Sequence, residues 1–295
     1  MTPWTRRTWL AGAALAAPLL AAACSQTQML AAVDLLTPDS DSLRVADAAF
    51  GPDPRQRLDL YAPHDAAGRP AVLFLYGGSW RQGSRASYRF VAEALVARGV
   101  VVGVADYRLA PAARHPDFAE DAALAVRWIL DNLAAHGGDP ASLTLLGHSA
   151  GSMNALQLAL DSRHLARVGL TRRDLAGVVA LAPPTGQEVQ RSRRLAPLFE
   201  TADPPGSAWP YRLAGQGGAG APPLLLVAGA EDFLIPAGNV AALGQAIAAS
   251  GGPVETLVVP GAGHIGVLSD LWLGSERAEP WVGRLVRPRP GQARA

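Results

Sequence analysis

From residue 71 onward the chain alternates between two kinds of hydrophobic pattern. Short, mostly apolar runs occur at 71–76 (AVLFLY), 100–105, 143–147, 177–183, 223–229 and 254–260 (VETLVVP). Between them lie longer segments whose apolar positions recur every three to four residues, at 87–98, at 117–137, from Ser149 onward and at 240–250. The short runs are the length of strands and apolar on both faces, so they predict strands buried on both sides. The longer segments predict amphipathic helices. Strand and helix in alternation predict an α/β fold with a mostly parallel central sheet and helices on both faces. The segments do not resemble one another, so no repeat architecture is expected. One stretch breaks the rhythm. Residues 184–222 are rich in Pro and Gly, show no strand–helix unit and predict a lid-like insertion, with "RSRR" (191–194) as a solvated helix face.

The N-terminus follows another pattern. "MTPWTRRTWLAGAALAAPLLAAACS" places Arg6-Arg7 before an apolar run from Leu10 to Ala23. That run is shorter than the ~20 residues a spanning helix needs. A charged start, a short apolar middle and a small-residue end predict an export signal over 1–23. "TRRTWL" resembles a twin-arginine signal, with Trp9 where Phe is usual, and "LLAAAC" resembles a lipobox with Ala21 in place of Leu. Lipidation of Cys24, plain cleavage after Ala23, or a buried N-terminal helix are the readings open, and the lone cysteine at the end of the run favours lipidation. The expected division is then 1–23 signal, 24–45 tether and 46–295 folded domain. The protein is expected to be exported, periplasmic or anchored to the membrane as a bacterial lipoprotein. Such an anchor tethers the chain without spanning the bilayer.

Composition removes several chemistries. The formal net charge is +1 and 17% of the 295 residues are charged, which gives a nucleic acid no basic track. All 26 basic residues are arginine, so a P-loop lysine, a Schiff-base lysine and a Ser-Lys dyad are absent. One cysteine allows no internal disulfide and no thiolate metal cluster, and the six histidines form no HExxH pair, so no metal site is expected. The sequence leaves the oligomeric state open.

The candidate chemistry lies at "GHSAG" (147–151), the junction of a predicted strand and a predicted helix. A serine on so tight a turn is a nucleophile elbow, in which the residues at 147 and 151 must be small and the helix N-terminus favours negative charge at Ser149. Serine needs a base. On a sheet of this kind the expected order is Ser, then acid, then His. "VVPGAGHIG" places His264 after the last strand, and "LLLVAGAEDFLIP" places Asp232 after the strand before it, with Glu231 as the alternative acid. All three positions fall at the carboxyl edge of the sheet. His264 would accept the serine proton and Asp232 would orient the imidazole. His148 is expected to line the pocket, and His64, His115, His136 and His164 to lie at the surface. "LYGGSW" (75–80) follows the first strong strand, and its glycines allow close approach to a developing oxyanion. The amides of Gly77 and Gly78, with that of Ala150, form the expected oxyanion hole.

Four segments together resemble the α/β-hydrolase superfamily, in particular the bacterial carboxylesterases, the hormone-sensitive-lipase-like esterases and the kynurenine-formamidase-like enzymes. They are "GHSAG", "YGGSW" as the HGGxW-type oxyanion segment, "DYRLAP" (106–111) and the lead-in strand "FGPDPRQRLDLYAP" (50–63). The resemblance covers about residues 50–275. At one position the chain departs from the pattern. Tyr76 stands where the family has His, and its phenol can act as a hydrogen-bonding strut or narrow the pocket. The resemblance implies two-step acyl transfer from a small or medium carboxylic ester through an acyl-enzyme, with no cofactor. Tyr76, Trp80, His148 and Phe233 are the expected substrate contacts, with Leu234 and Ile235 beside them. An amidase or peptidase on the same triad, and a non-catalytic tethered binding module, are the competing readings.

Overall fold

The computed structural model describes residues 43–65 and 67–286, together with Val33 and Thr37. The expected signal and Cys24 lie outside the described residues.

Strands form where the apolar runs predict them: β3 (Ala71–Leu75), β4 (Val101–Ala105), β5 (Thr144–His148), β6 (Gly177–Leu181), β7 (Leu224–Gly229) and β8 (Val254–Val259). The first five are buried on both faces as expected, whereas β8 is a sheet edge and largely open to solvent, which its Glu255 and Thr256 permit. Two more precede them, β1 (Leu43–Ala49) and β2 (Arg57–Ala62). The eight make one sheet in the order β1-β2-β4-β3-β5-β6-β7-β8. The pairs β1–β2 and β2–β4 are antiparallel, and every other pair is parallel. Strand β1 starts at Leu43, inside the segment expected to be a tether. Its sequence, LRVADAA, is too polar to register as a buried strand because β1 is an edge, with Asp47, Arg44 and Arg57 in water-facing ion pairs.

The helices are α1 (Arg89–Val96), α2 (Asp117–Asn132), α3 (Ala150–Leu160), α4 (Ser162–Ala166), α5 (Gln187–Gln190), α6 (Pro210–Gly217), α7 (Ala237–Ala249), α8 (Gly266–Trp272) and α9 (Glu279–Val286). Alternation along the strands feeds two cores. Val72, Phe74, Val102, Val104, Leu146 and Val179 pack with α1, α8 and α9 on one face. Leu73, Leu75, Val101, Leu145, Ala180 and Leu226 pack with α2, α3 and α7 on the other. Helix α3 is buried along its whole length, which accounts for its nearly uniform apolar sequence. The 184–222 insertion is less irregular than expected. It holds α5, a 3-10 turn at Ala196–Phe199 and α6. The "RSRR" arginines are exposed, but they sit in a turn after α5 and not on a helix face. Among the described residues no helix is long and apolar enough to cross a membrane.

Because β3, β5, β7 and β8 run parallel, their carboxyl ends open on the same edge of the sheet. The loops after them carry residues 76–83, Ser149, Asp232 and His264.

Candidate active site

Ser149 connects β5 to α3 with φ 51° and ψ −120°. A left-handed φ outside glycine costs on the order of 1–3 kcal/mol and persists only where the surroundings impose it. The surroundings here are specific. The Ser149 amide donates to the Leu181 carbonyl at 2.9 Å, and its own carbonyl accepts from the amides of Ser152 and Met153 and from Ser152 Oγ. The flanking glycines are required by backbone contact. A β-carbon at Gly147 would lie 2.4 Å from Ser152 Cα, and one at Gly151 would lie 2.0 Å from the Leu75 carbonyl oxygen.

Three side chains from three loops meet at this turn. His264 Nε2 lies 2.9 Å from Ser149 Oγ, and His264 Nδ1 lies 2.8 Å from Asp232 Oδ2. Asp232 Oδ1 accepts from the amides of Leu234 and Ile235, each at 2.9 Å. Burial on its own would raise the Asp232 carboxyl. The hydrogen bonds from His264 and from the two amides outweigh it and hold the group below its usual range. A carboxylate can only accept, so Nδ1 of His264 carries the proton, and Nε2 is left bare to accept from the serine hydroxyl. The Asp232 side chain is closed to solvent, whereas that of His264 keeps 14% exposure and Ser149 is partly exposed.

The loop after β3 passes directly beside Ser149. A β-carbon at Gly77 would sit 3.0 Å from Ser149 Cβ, and one at Gly78 (φ 133°) would meet the Gln82 carbonyl at 2.0 Å. Ser79 and Trp80 also take positive φ, 54° and 56°. The turn is held by Trp80 Nε1 donating to Asn154 Oδ1 at 2.9 Å and by Gly78 O accepting from the amides of Arg81 and Gln82.

The structure therefore brings together Ser149, Asp232, His264, Gly77, Gly78 and Ala150. It separates the expected substrate contacts. Tyr76 is fully buried. Its hydroxyl donates to Asp106 Oδ1 and accepts from Arg55, each at 2.7 Å, which makes it a strut and not a pocket wall. Trp80 is 1% exposed, with its ring edge-on to Phe199. His148 is also fully buried. A carbonyl can only accept, so His148 Nε2 donates to the His264 carbonyl at 3.0 Å, and burial, with His264 second, lowers its pKa to about 3. Neutral and enclosed, His148 supports the histidine loop instead of lining a pocket. Phe233 stands 94% exposed on the Asp232 loop, and Leu234 stands beside it, while Ile235 is buried. Glu231 points to solvent, which leaves Asp232 as the carboxylate at the histidine. His115 and His164, expected at the surface, are both buried.

Sequence reasoning missed Asn154, Tyr88 and the roles of Asp106 and Tyr107. Asn154 had a signal, as a polar residue on a helix otherwise buried and apolar. Asp106 and Tyr107 lay inside a recognised motif without an assigned contact. Among the described residues no group of three or more His, Cys, Asp or Glu could hold a metal.

Comparison with known proteins fits this geometry. A family model described as the alpha/beta hydrolase fold matches residues 72–268, and the chain belongs to that family. An isoprenylcysteine alpha-carbonyl methylesterase of Arabidopsis thaliana is 28% identical over 253 residues, covering 76% of this chain and 56% of that one. A carboxylesterase of Mycobacterium tuberculosis is 40% identical over 97 residues, covering 31% of this chain and 30% of that one. The chain thus spans little more than half the length of the first of these curated relatives and about a third of the second. Among solved structures, esterase 2 of Thermogutta terrifontis superposes with a TM-score of 0.66 at 24% identity, covering 85% of this chain and 99% of that one. A carbohydrate esterase from gut microbiota superposes with a TM-score of 0.67 at 17% identity, covering 84% and 97%. At these identities the structural likeness speaks for the fold.

Proposed function

We propose that the protein is a serine carboxylesterase working through an acyl-enzyme. The observation that carries this is the continuous chain of hydrogen bonds from Asp232 through His264 to Ser149 Oγ, 2.8 and 2.9 Å. Ser149 attacks the ester carbonyl while His264 Nε2 takes its proton. The imidazolium so formed is stabilised by Asp232. Negative charge then collects on the former carbonyl oxygen. The amides of Gly77, Gly78 and Ala150 have no acceptor among the described residues, and Ala150 opens α3, where the helix leaves its first N–H groups unpaired. They are the donors assigned to the oxyanion. His264 returns its proton to the leaving alcohol, then draws one from water to release the acid. The names of the relatives, esterases and a methylesterase, agree with a carboxylic ester as substrate.

The test is hydrolysis of short-chain nitrophenyl esters by the purified protein and by Ser149→Ala, with fluorophosphonate labelling in parallel. Activity and labelling that both vanish in the variant support the reading. Esterase activity that survives in Ser149→Ala overturns the nucleophile, and a wild type inert toward esters but active on anilides moves the reading to an amidase. Export and lipidation at Cys24 complete the proposal. Cys24→Ala is expected to move the protein from the membrane fraction to the soluble one, and an unchanged distribution removes the anchor.

A further inference from the structure

The loop that passes Ser149 is gripped from behind by tyrosines. Tyr76, Tyr88 and Tyr107 form a stack. The Tyr76 ring lies 5.1 Å from that of Tyr88 at 9° and 4.9 Å from that of Tyr107 at 25°. The middle phenol is fixed by Asp106 and Arg55, and Arg55 also reaches the carbonyls of Tyr107 and Gly83. The outer two hydroxyls point at backbone. Tyr107 Oη donates to the Tyr76 carbonyl at 2.9 Å, and Tyr88 Oη donates to the Gly77 carbonyl at 3.2 Å, both in buried surroundings.

Those two carbonyls belong to particular peptide units. A trans peptide is planar, with its C=O and N–H pointing in opposite directions. The carbonyl of Tyr76 shares its plane with the amide of Gly77, and the carbonyl of Gly77 shares its plane with the amide of Gly78. Holding each oxygen therefore aims each amide the opposite way. β3 lies between β4 and β5. Tyr107 follows β4 on one flank, and Ser149 follows β5 on the other. The Tyr76 oxygen is held between these flanks, bonded by the Tyr107 hydroxyl and packed against the elbow, where a β-carbon at Gly151 would sit 2.5 Å from it, while a β-carbon at Gly77 itself would sit 3.0 Å from Ser149 Cβ. Glycine at 77 and 78 restrains the two planes less than another residue would, and the hydroxyls add a hold on each oxygen.

We propose that Tyr107 and Tyr88 are positioning residues for the oxyanion hole, each acting through a carbonyl to orient the amide that meets the transition-state oxygen. Tyr76, at the position where its phenol replaces the family's imidazole, holds the two rings in register. Burial keeps the Tyr107 phenol well above its ordinary value, so it stays a donor across the working range. The inference rests on the esterase reading above.

The test compares Tyr107→Phe, Tyr88→Phe and the double variant with wild type on a short-chain nitrophenyl ester, with Ser149→Ala as the control for the underlying reading. Phe keeps the ring stack and removes only the hydroxyl. Each single variant is expected to lower kcat about tenfold, more at Tyr107 than at Tyr88, with KM within twofold. The inhibition constant of a trifluoromethyl ketone, which forms an oxyanion on Ser149, should rise by the same factor as kcat/KM falls. Wild-type kcat in both single variants and in the double variant overturns the inference. So does a loss in which kcat, KM and thermal midpoint shift together while ketone affinity holds, since that pattern marks a purely structural role. If Tyr107→Phe does not fold, Tyr88→Phe decides by the same criteria. Undiminished activity in Ser149→Ala would instead overturn the esterase reading itself, and this inference with it.

Discussion

Among the described residues two places bring histidine to a buried carboxylate, and at only one of them does the histidine also meet a serine hydroxyl. At the carboxyl edge of the sheet, His264 bonds Asp232 at 2.8 Å and Ser149 at 2.9 Å. Under the insertion, His164 lies near Asp161 with Nε2 3.8 Å from Oδ2, too far for a hydrogen bond, and its ring stands edge-on to His115 at 6.0 Å. The difference lies in how each carboxylate is already engaged. In Asp232 the two amides occupy Oδ1 and leave Oδ2 for the imidazole. In Asp161 the Arg163 side chain takes both oxygens. A histidine beside a saturated carboxylate gains no tautomer and no orientation from it. Burial then dominates and keeps the ring neutral, lowering His164 and, helped by the neighbouring His164, bringing His115 to about 4.

This contrast can be broken at the active cluster first. Ser149→Ala is expected to reduce kcat by a factor on the order of 10⁴ to 10⁶, measured on nitrophenyl esters, with folding unchanged by circular dichroism. Asp232→Asn keeps the shape but offers His264 the wrong tautomer, for a loss on the order of 10³ to 10⁴. Glu231→Gln, on the exposed neighbour, should stay within twofold, and a large loss there would reassign the acid. The elbow itself is tested by Gly151→Ala. The added methyl meets the Leu75 carbonyl at 2.0 Å, so soluble yield and thermal midpoint should both fall, and a variant of wild-type stability would refute the backbone-contact argument.

The second cluster gives the smallest effect, visible only in stability against pH. His115 is neutral in the folded protein down to about pH 4, whereas in the unfolded chain it takes up a proton near 6.5. Its contribution is complete above pH 6.5 and declines as the pH falls toward 4, by up to ~1.4 kcal/mol per pH unit. His148, lowered to about 3, adds a similar slope that runs further into acid. The groups around His115 are His164, Asp161, Arg163 and Asp117. His115→Phe should flatten urea-unfolding stability between pH 6.5 and 4 while leaving kcat at neutral pH unchanged. An unaltered slope would show that His115 does not titrate in this way.

Much of this was legible in the chain, for a physical reason. A strand buried on both faces must be apolar throughout, so the runs at 71–76 and 223–229 stand out against anything else they could be. The polar edge strand β1 has no such constraint, and its first residues, 43–45, read as the end of a tether. The elbow was legible because Gly147 and Gly151 answer to backbone contacts a few residues away or one strand over. The order of Ser149, Asp232 and His264 followed from parallel strands, whose carboxyl ends share an edge.

What the sequence determined by itself is the set of elements and the identity of the residues delivered to that edge, because both depend on local periodicity and on direct steric need. What only the tertiary structure decided is which way each side chain faces and which partner reaches it first. Trp80 and His148 read as pocket residues and turned out to be buried supports, Tyr76 read as either a strut or a pocket residue and is a strut, and His115 and His164 read as surface residues and turned out to be enclosed. Burial and hydrogen-bond partnership depend on atoms brought from elsewhere in the chain, and no local pattern encodes them.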